Sequence, residues 1–200
     1  ATLPVVLAPA ASVGVDLQFL PSEPGFLEGT FSARQAGQGA PPLEVALSGR
    51  AIGPTGADVL ITAGLDAFVE PGGQVWLEEY GFGGGSVVQV TEAVLGTDLD
   101  ELFQWVRVGS QFGYTLPIPN GSYEVVIFSW EPVKQAPGQR LFDVLAEGAV
   151  IIDDLDLFDE VGRFTAFSSE PVVVTVTDGV LDLSFDASVA QALVSAVSVR

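Results

Sequence analysis

Four aromatic residues stand close to carboxylates in this chain. Trp76 and Tyr80 flank Glu78-Glu79, Phe82 follows in a glycine-rich stretch, and Trp130 precedes Glu131. An aromatic face suits the C–H face of a pyranose ring, and a neighbouring carboxylate can accept hydrogen bonds from sugar hydroxyls. The expected chemistry is therefore stacking and hydroxyl recognition. The competing reading is that these rings are core, as aromatics often are in sandwiches. The densest acidic run is Asp153, Asp154, Asp156, Asp159 and Glu160. Its oxygens are of the kind that Ca²⁺ takes, although the spacing is not that of an EF-hand. A solvated loop anchored by Leu155, Leu157 and Phe158 competes with that reading. Asp98, Asp100 and Glu101 are a second calcium candidate. No other cofactor is expected.

Other chemistry is excluded by what is missing. The chain has no His, Cys or Met. Neither a Ser-His-Asp triad nor a Cys-His pair can be built, and zinc, copper and haem lose their usual ligands. A carboxylate pair could hydrolyse a glycoside, but among 26 acidic residues such pairing is easy by chance, so a non-catalytic protein is expected. The segment Gly81 to Gly85 lacks the lysine and the following helix of a phosphate-binding loop. With 26 acidic against 7 basic residues the formal net charge is -19. The basic residues (Arg34, Arg50, Arg107, Lys134, Arg140, Arg163, Arg200) are scattered, so nucleic acid is not an expected partner. No apolar run reaches the roughly 20 residues that span a bilayer, and membrane insertion is not expected. The absence of Met leads to the expectation of a mature or excised piece of a longer protein.

The elements that must position these residues read as strands. Val13, Val15, Leu17 and Phe19 alternate with polar or small residues, as do Leu43, Val45 and Leu47, and Leu181, Leu183 and Phe185. Period two places apolar side chains on one face of a half-buried strand. Gly and Pro clusters separate these segments, which argues for an all-β sandwich or barrel. Asn120-Gly121 and Asp178-Gly179 predict two hairpins, Leu116–Pro119 with Tyr123–Trp130 and Val172–Thr177 with Val180–Phe185. Asn120-Gly121-Ser122 also fits a glycosylation sequon, which the turn explains better. One short helix is expected over Asp98–Trp105, capped by Thr97, and 165–169 reads as loop. The best boundary is Gly53 to Ala57: residues 1–53 form a first part, 54–57 a linker and 58–200 a second part. Acidic residues outnumber basic ones by 4 to 2 before the break and by 22 to 5 after it.

Several segments of the second part resemble the malectin family. They are Val59-Leu-Ile-Thr-Ala-Gly64, the glycine-rich Tyr80 to Ser86, Leu102-Phe-Gln-Trp-Val-Arg107, and Phe112-Gly-Tyr-Thr-Leu-Pro-Ile-Pro-Asn-Gly-Ser-Tyr123. Gln139 to Val144, Asp154-Leu-Asp-Leu-Phe-Asp-Glu-Val-Gly162 and the closing Leu193 to Val199 follow in the family's order. The resemblance implies a jelly-roll β-sandwich that recognises carbohydrate through loop aromatics and a late Asp. The first of those aromatics falls on Trp76. The place of the second falls at Val87 or Val88, with Tyr80 and Phe82 nearby, and Trp130 and Glu131 stand just before the place of an aromatic pair. The late Asp falls near Ala190, with Asp186 as a displaced substitute. Residues 1–53 resemble the last strands of a bacterial immunoglobulin-like domain of the Hydin type, on Leu3 to Pro9, Ser12 to Pro21, Gly25 to Ala33 and Val45-Ala-Leu-Ser-Gly49.

Strands without their covering sheet leave open edges and a bare apolar face. Val13, Val15, Leu17, Phe19, Leu43, Val45 and Leu47 are therefore the expected assembly face. It would be covered by a neighbouring domain or by an identical chain through β-augmentation. The leading expectation is a non-catalytic, extracellular or cell-surface glycan-binding or adhesive module of bacterial type. The alternative is a fibre subunit that polymerises by strand donation.

Overall fold

The computed structural model describes residues 25–33, 43–51 and 58–200. The chain divides into two compact units, Ala1–Thr55 and Gly56–Arg200. In the first unit, β1 (Gly25–Ala33) pairs antiparallel with β2 (Leu43–Ala51), with Gly25 opposite Ala51 and Ala33 opposite Leu43. Of the expected assembly face, Leu43, Val45 and Leu47 belong to β2, whereas Val13, Val15, Leu17 and Phe19 lie outside the described residues.

The second unit is built of strands, several of which alternate in burial as period two requires. Its strands are β3 (Val59–Thr62), β4 (Phe68–Val69), β5 (Val75–Trp76), β6 (Phe82–Gln89), β7 (Trp105–Pro117), β8 (Gly121–Trp130), β9 (Leu141–Ala146), β10 (Ala149–Leu155), β11 (Ala166–Ser168), β12 (Val172–Val176), β13 (Val180–Val189), β14 (Ala192–Val194) and β15 (Ala196–Val199). Two short helices, α1 (Asp100–Gln104) and α2 (Leu157–Val161), interrupt them. A six-stranded sheet runs β10-β9-β13-β7-β14, with β6 also on β7. A five-stranded sheet runs β11-β8-β15-β3, with β12 also on β8. Phe112, Tyr114, Leu116, Leu183 and Phe185 from the first sheet meet Ile61, Val125, Ile127, Val176 and Val197 from the second in one buried core. This is an all-β sandwich.

Neither expected hairpin forms. β7 and β8 flank Asn120 but lie in different sheets, and so do β12 and β13 around Asp178. Instead the two chain crossings run side by side. Val180 pairs with Pro117, and Val176 pairs with Gly121. The Ile118 N–H donates to the Gly179 carbonyl at 3.0 Å, and Asn120 Nδ2 donates to the Thr177 carbonyl at 2.8 Å. Each crossing therefore satisfies the backbone of the other. Long-range pairing overrides a local turn preference wherever it buries both strands of each turn.

Three local expectations are also corrected. Residues 166–168, read as loop, form β11 against β8. Thr97 does not cap α1. Its hydroxyl accepts from the Leu99 N–H, and α1 begins at Asp100 without a side-chain cap. The acidic run is not a simple loop either. Asp156 is the N-cap of α2 and accepts from the N–H groups of Phe158 and Asp159, which satisfies orphan donors of the first turn.

Candidate functional site

Trp130 is the last residue of β8, on the face it shares with Phe128 rather than the face of Ile127. That outer face is covered here. α1 brings Leu102 and Phe103 over it, and Trp76, Val94, Val106 and Leu60 complete a second buried cluster. Trp76 is 4% exposed and meets Phe128 edge-on at 5.4 Å. Trp130 is fully buried and lies 6.2 Å from Phe164. Neither tryptophan offers a face to a sugar, which corrects the expected stacking platform. The cause is α1, which converts an outward strand face into core.

Glu131 is buried too, and its carboxylate organises a loop. Oε1 accepts from the N–H groups of Val133 and Lys134, both at 2.8 Å, and Oε2 accepts from Arg140 Nε at 2.5 Å. Arg140 also donates to the Gln191 carbonyl. Burial pushes the carboxyl up. The Arg140 hydrogen bond, the Lys134 and Val133 N–H groups and the Arg140 charge outweigh this and hold it below the usual carboxylate range. Arg163 closes the same end of the sandwich. Its guanidinium donates to the Pro132 carbonyl and stacks on the Phe164 ring at 4.1 Å. Glu131 is thus a structural anion and not an acceptor for a ligand hydroxyl.

Phe82 and Tyr80 fall elsewhere. Phe82 is about half exposed, and the Arg107 guanidinium lies 4.0 Å from its ring centroid. Arg107 itself is buried. It donates to both carboxylate oxygens of Glu79 (2.6 and 2.7 Å) and to the Gly84 carbonyl (2.6 Å). The Tyr114 hydroxyl donates to the same Glu79 at 2.6 Å. The Glu79 hydrogen bond raises the Arg107 pKa against the effect of burial, and burial followed by the Glu79 charge raises that of Tyr114 well above its ordinary value. Sequence reasoning missed Glu79, Arg107 and Tyr114 as a unit. The one available signal was an arginine at an otherwise apolar strand position. Tyr80 is half-buried against the main core.

Asp186 is half-buried on β13, opposite Gln111 and Asp143. Its Oδ2 lies 3.4 Å from the Ser184 hydroxyl, and its Oδ1 has no hydrogen-bond partner among the described residues. It alternates with the buried Phe185 and therefore faces outward. Phe82 is in register with the buried Tyr114 and belongs to the opposite face of that sheet. The structure does not bring Asp186 and Phe82 together. Nor does it gather Asp153, Asp154 and Asp156. Among the described residues no group of acidic side chains is arranged to hold a metal ion. Asp156 is committed to α2 and to the Gly138 N–H, and Asp143 accepts from the Asp154 N–H at 2.8 Å.

The outer face of the six-stranded sheet carries an open cleft of about 350 Å³ across β6, β7, β13 and β9, lined by Gly83, Gly113, Thr115, Leu145, Asp182 and Ser184. No residue of this cleft was singled out by the sequence as a site, because its floor is glycine and serine.

Residues 59–198 match the family described as Malectin domain. Malectin from Homo sapiens is 35% identical over 89 residues, which is 44% of this chain and 30% of that protein. Malectin from Danio rerio is 40% identical over 67 residues, 32% of this chain and 24% of its own length. The chain thus spans about a third or less of these curated relatives. Among solved structures, a β-glucuronidase from Bacteroides uniformis superposes with a TM-score of 0.68 at 17% identity, covering 90% of this chain and 23% of the enzyme. The ANX1 ectodomain from Arabidopsis thaliana gives 0.62 at 15%, covering 72% and 41%. At such identities these two show the fold alone. With the family match extending over the whole sandwich of the second unit, this chain belongs to the malectin-domain family.

Proposed function

We propose that the chain is a non-catalytic carbohydrate-binding module of a larger, extracellular or cell-surface protein. The observation that carries this reading is the malectin-domain match, which extends from β3 to β15 of the described sandwich. The chemistry of the chain agrees. The fully buried carboxylate of Glu131 is held as an anion by Arg140 and cannot serve as a protonated acid for glycoside hydrolysis. The net charge of -19 disfavours anionic ligands and so favours neutral sugars. No helix among the described residues is long and apolar enough to cross a membrane. Nothing among the described residues favours polymerisation by strand donation over glycan binding.

Affinity electrophoresis tests this directly. The chain is run in native gels cast with soluble neutral polysaccharides such as starch, laminarin or xyloglucan. Retardation in at least one, reversed by the free oligosaccharide, is expected. Unchanged mobility in a broad neutral panel would contradict the reading.

A further inference from the structure

The open cleft on the outer sheet face has a floor that packing does not fully explain. Gly83 of β6 is opposite Gly113 of β7, which is opposite Ser184 of β13, which is opposite Leu145 of β9. Residues directly opposite in antiparallel pairs share a face, so three successive strands present almost no side chain there. At about 4.8 Å between strands, the bare row from Gly83 to Ser184 is roughly 10 Å long, the scale of a short oligosaccharide. Residues two positions along the strands stand as walls. Thr115 faces Asp182 on one side, and Gln111 faces Asp186 on the other.

The glycines of this row have different causes. A Cβ at Gly113 would collide with the Leu183 carbonyl, so sheet packing requires glycine there. At Gly83 a Cβ would meet nothing within 4 Å, and the residue is not in the left-handed region. Glycine inside a strand is destabilising relative to alanine through lost backbone entropy. Neither a neighbouring atom nor a left-handed φ therefore requires glycine at Gly83. What its missing side chain does is leave the trough open.

We infer that the trough over Gly83, Gly113 and Ser184 binds an extended neutral glycan, lying across the strands between the Thr115–Asp182 and Gln111–Asp186 walls. The inference rests on the carbohydrate-binding reading and assigns it a site on the sheet face. Hydroxyl, amide and carboxylate groups on the walls match sugar hydroxyls, which both donate and accept. No Lys or Arg lines the cleft, so uronic acids, sulfates and phosphates find no counter-charge. Leu145 offers apolar surface at one end of the row.

The test uses the full chain, titrated calorimetrically with malto- and cello-oligosaccharides of increasing length. Gly83→Leu fills the floor, and Thr115→Val removes a wall hydroxyl at an exposed strand position without changing its shape. Val133→Ser, at the exposed tip of the Glu131 loop, is the control. Gly83→Leu is expected to weaken binding at least tenfold with an unchanged or raised unfolding temperature. Thr115→Val is expected to weaken it severalfold, and Val133→Ser to leave it intact. Affinity that survives both Gly83→Leu and Thr115→Val would overturn the trough while leaving the glycan reading standing. If Gly83→Leu does not fold, Thr115→Val alone decides. Binding that collapses between low and high salt would overturn the neutral ligand in favour of a cationic one. A wild-type chain that binds neither oligosaccharide series nor any neutral polysaccharide would remove the glycan reading and the trough with it.

Discussion

Glu131→Gln is the sharpest probe of how the loop end of the sandwich is held. Glutamine keeps an oxygen for the Val133 and Lys134 N–H groups, so the loop retains two of its bonds. What is lost is the charge opposite Arg140, whose side chain is 6% exposed against 0% for Glu131. A buried ion left without its partner typically costs about 3–5 kcal/mol. For a unit of this size each kcal/mol moves the midpoint by roughly 2–4 °C, so a loss of about 6–20 °C is expected. Thermal unfolding followed by circular dichroism reads it. The double variant Glu131→Gln, Arg140→Met removes the stranded cation and should be more stable than Glu131→Gln alone. The pH dependence has a defined sign. The folded Glu131 pKa is depressed, so its contribution is present above the unfolded value of about 4.3. It is lost as pH falls through the lower folded value. The wild type should therefore lose its stability advantage over Glu131→Gln on acidification below about pH 4. A single variant that costs under about 1 kcal/mol, or an advantage independent of acid pH, would refute the buried-pair account.

Other parts of the structure give further expectations. Tyr114→Phe removes a hydrogen bond to a charged acceptor and should cost about 1.5–3 kcal/mol in chemical denaturation. Because the folded Tyr114 pKa is raised, its stabilisation is complete below about pH 10 and is lost as pH rises through the folded value. The wild-type advantage over Tyr114→Phe should accordingly shrink in strongly alkaline buffer. Asp156→Ala should cost about 0.5–2 kcal/mol through loss of the α2 cap. Addition of Ca²⁺ or of a chelator should leave the wild-type midpoint unchanged, since Asp156 is occupied by N–H donors. A calcium-dependent rise in midpoint would restore the metal reading. Trp76→Ala and Trp130→Ala should each cost about 3–5 kcal/mol as core truncations. Loss of ligand binding in either would then accompany unfolding, and a binding defect with an unchanged midpoint would show instead that the ring is at a site.

The sequence carried the strands well because their signal is local. Leu181, Leu183 and Phe185 are buried, and Asp182 between them is exposed, as alternation requires. Strand partners are not local, and there the turn residues misled. Asn120-Gly121 favours a two-residue hairpin, yet β8 leaves the sheet of β7 because β12 and β15 offer it a buried position. The same limit governs the aromatics. Trp130 stands at an outward position whose exposure depends on whether α1 covers it, and α1 begins some 30 residues earlier in the chain. Asp156 in an acidic run looks like a ligand until a helix begins beside it. The trough is the opposite case. Its floor is made by residues with little or no side chain, and only register across three strands brings them into one row.

Glycan binding is tested most directly on an array of immobilised neutral and anionic oligosaccharides probed with the full chain. Reproducible retention is expected on a subset of neutral linear glycans, with weaker or no signal on sulfated and uronic acid-containing ones. Retention confined to anionic glycans, or none on any sugar at high protein concentration, would contradict it.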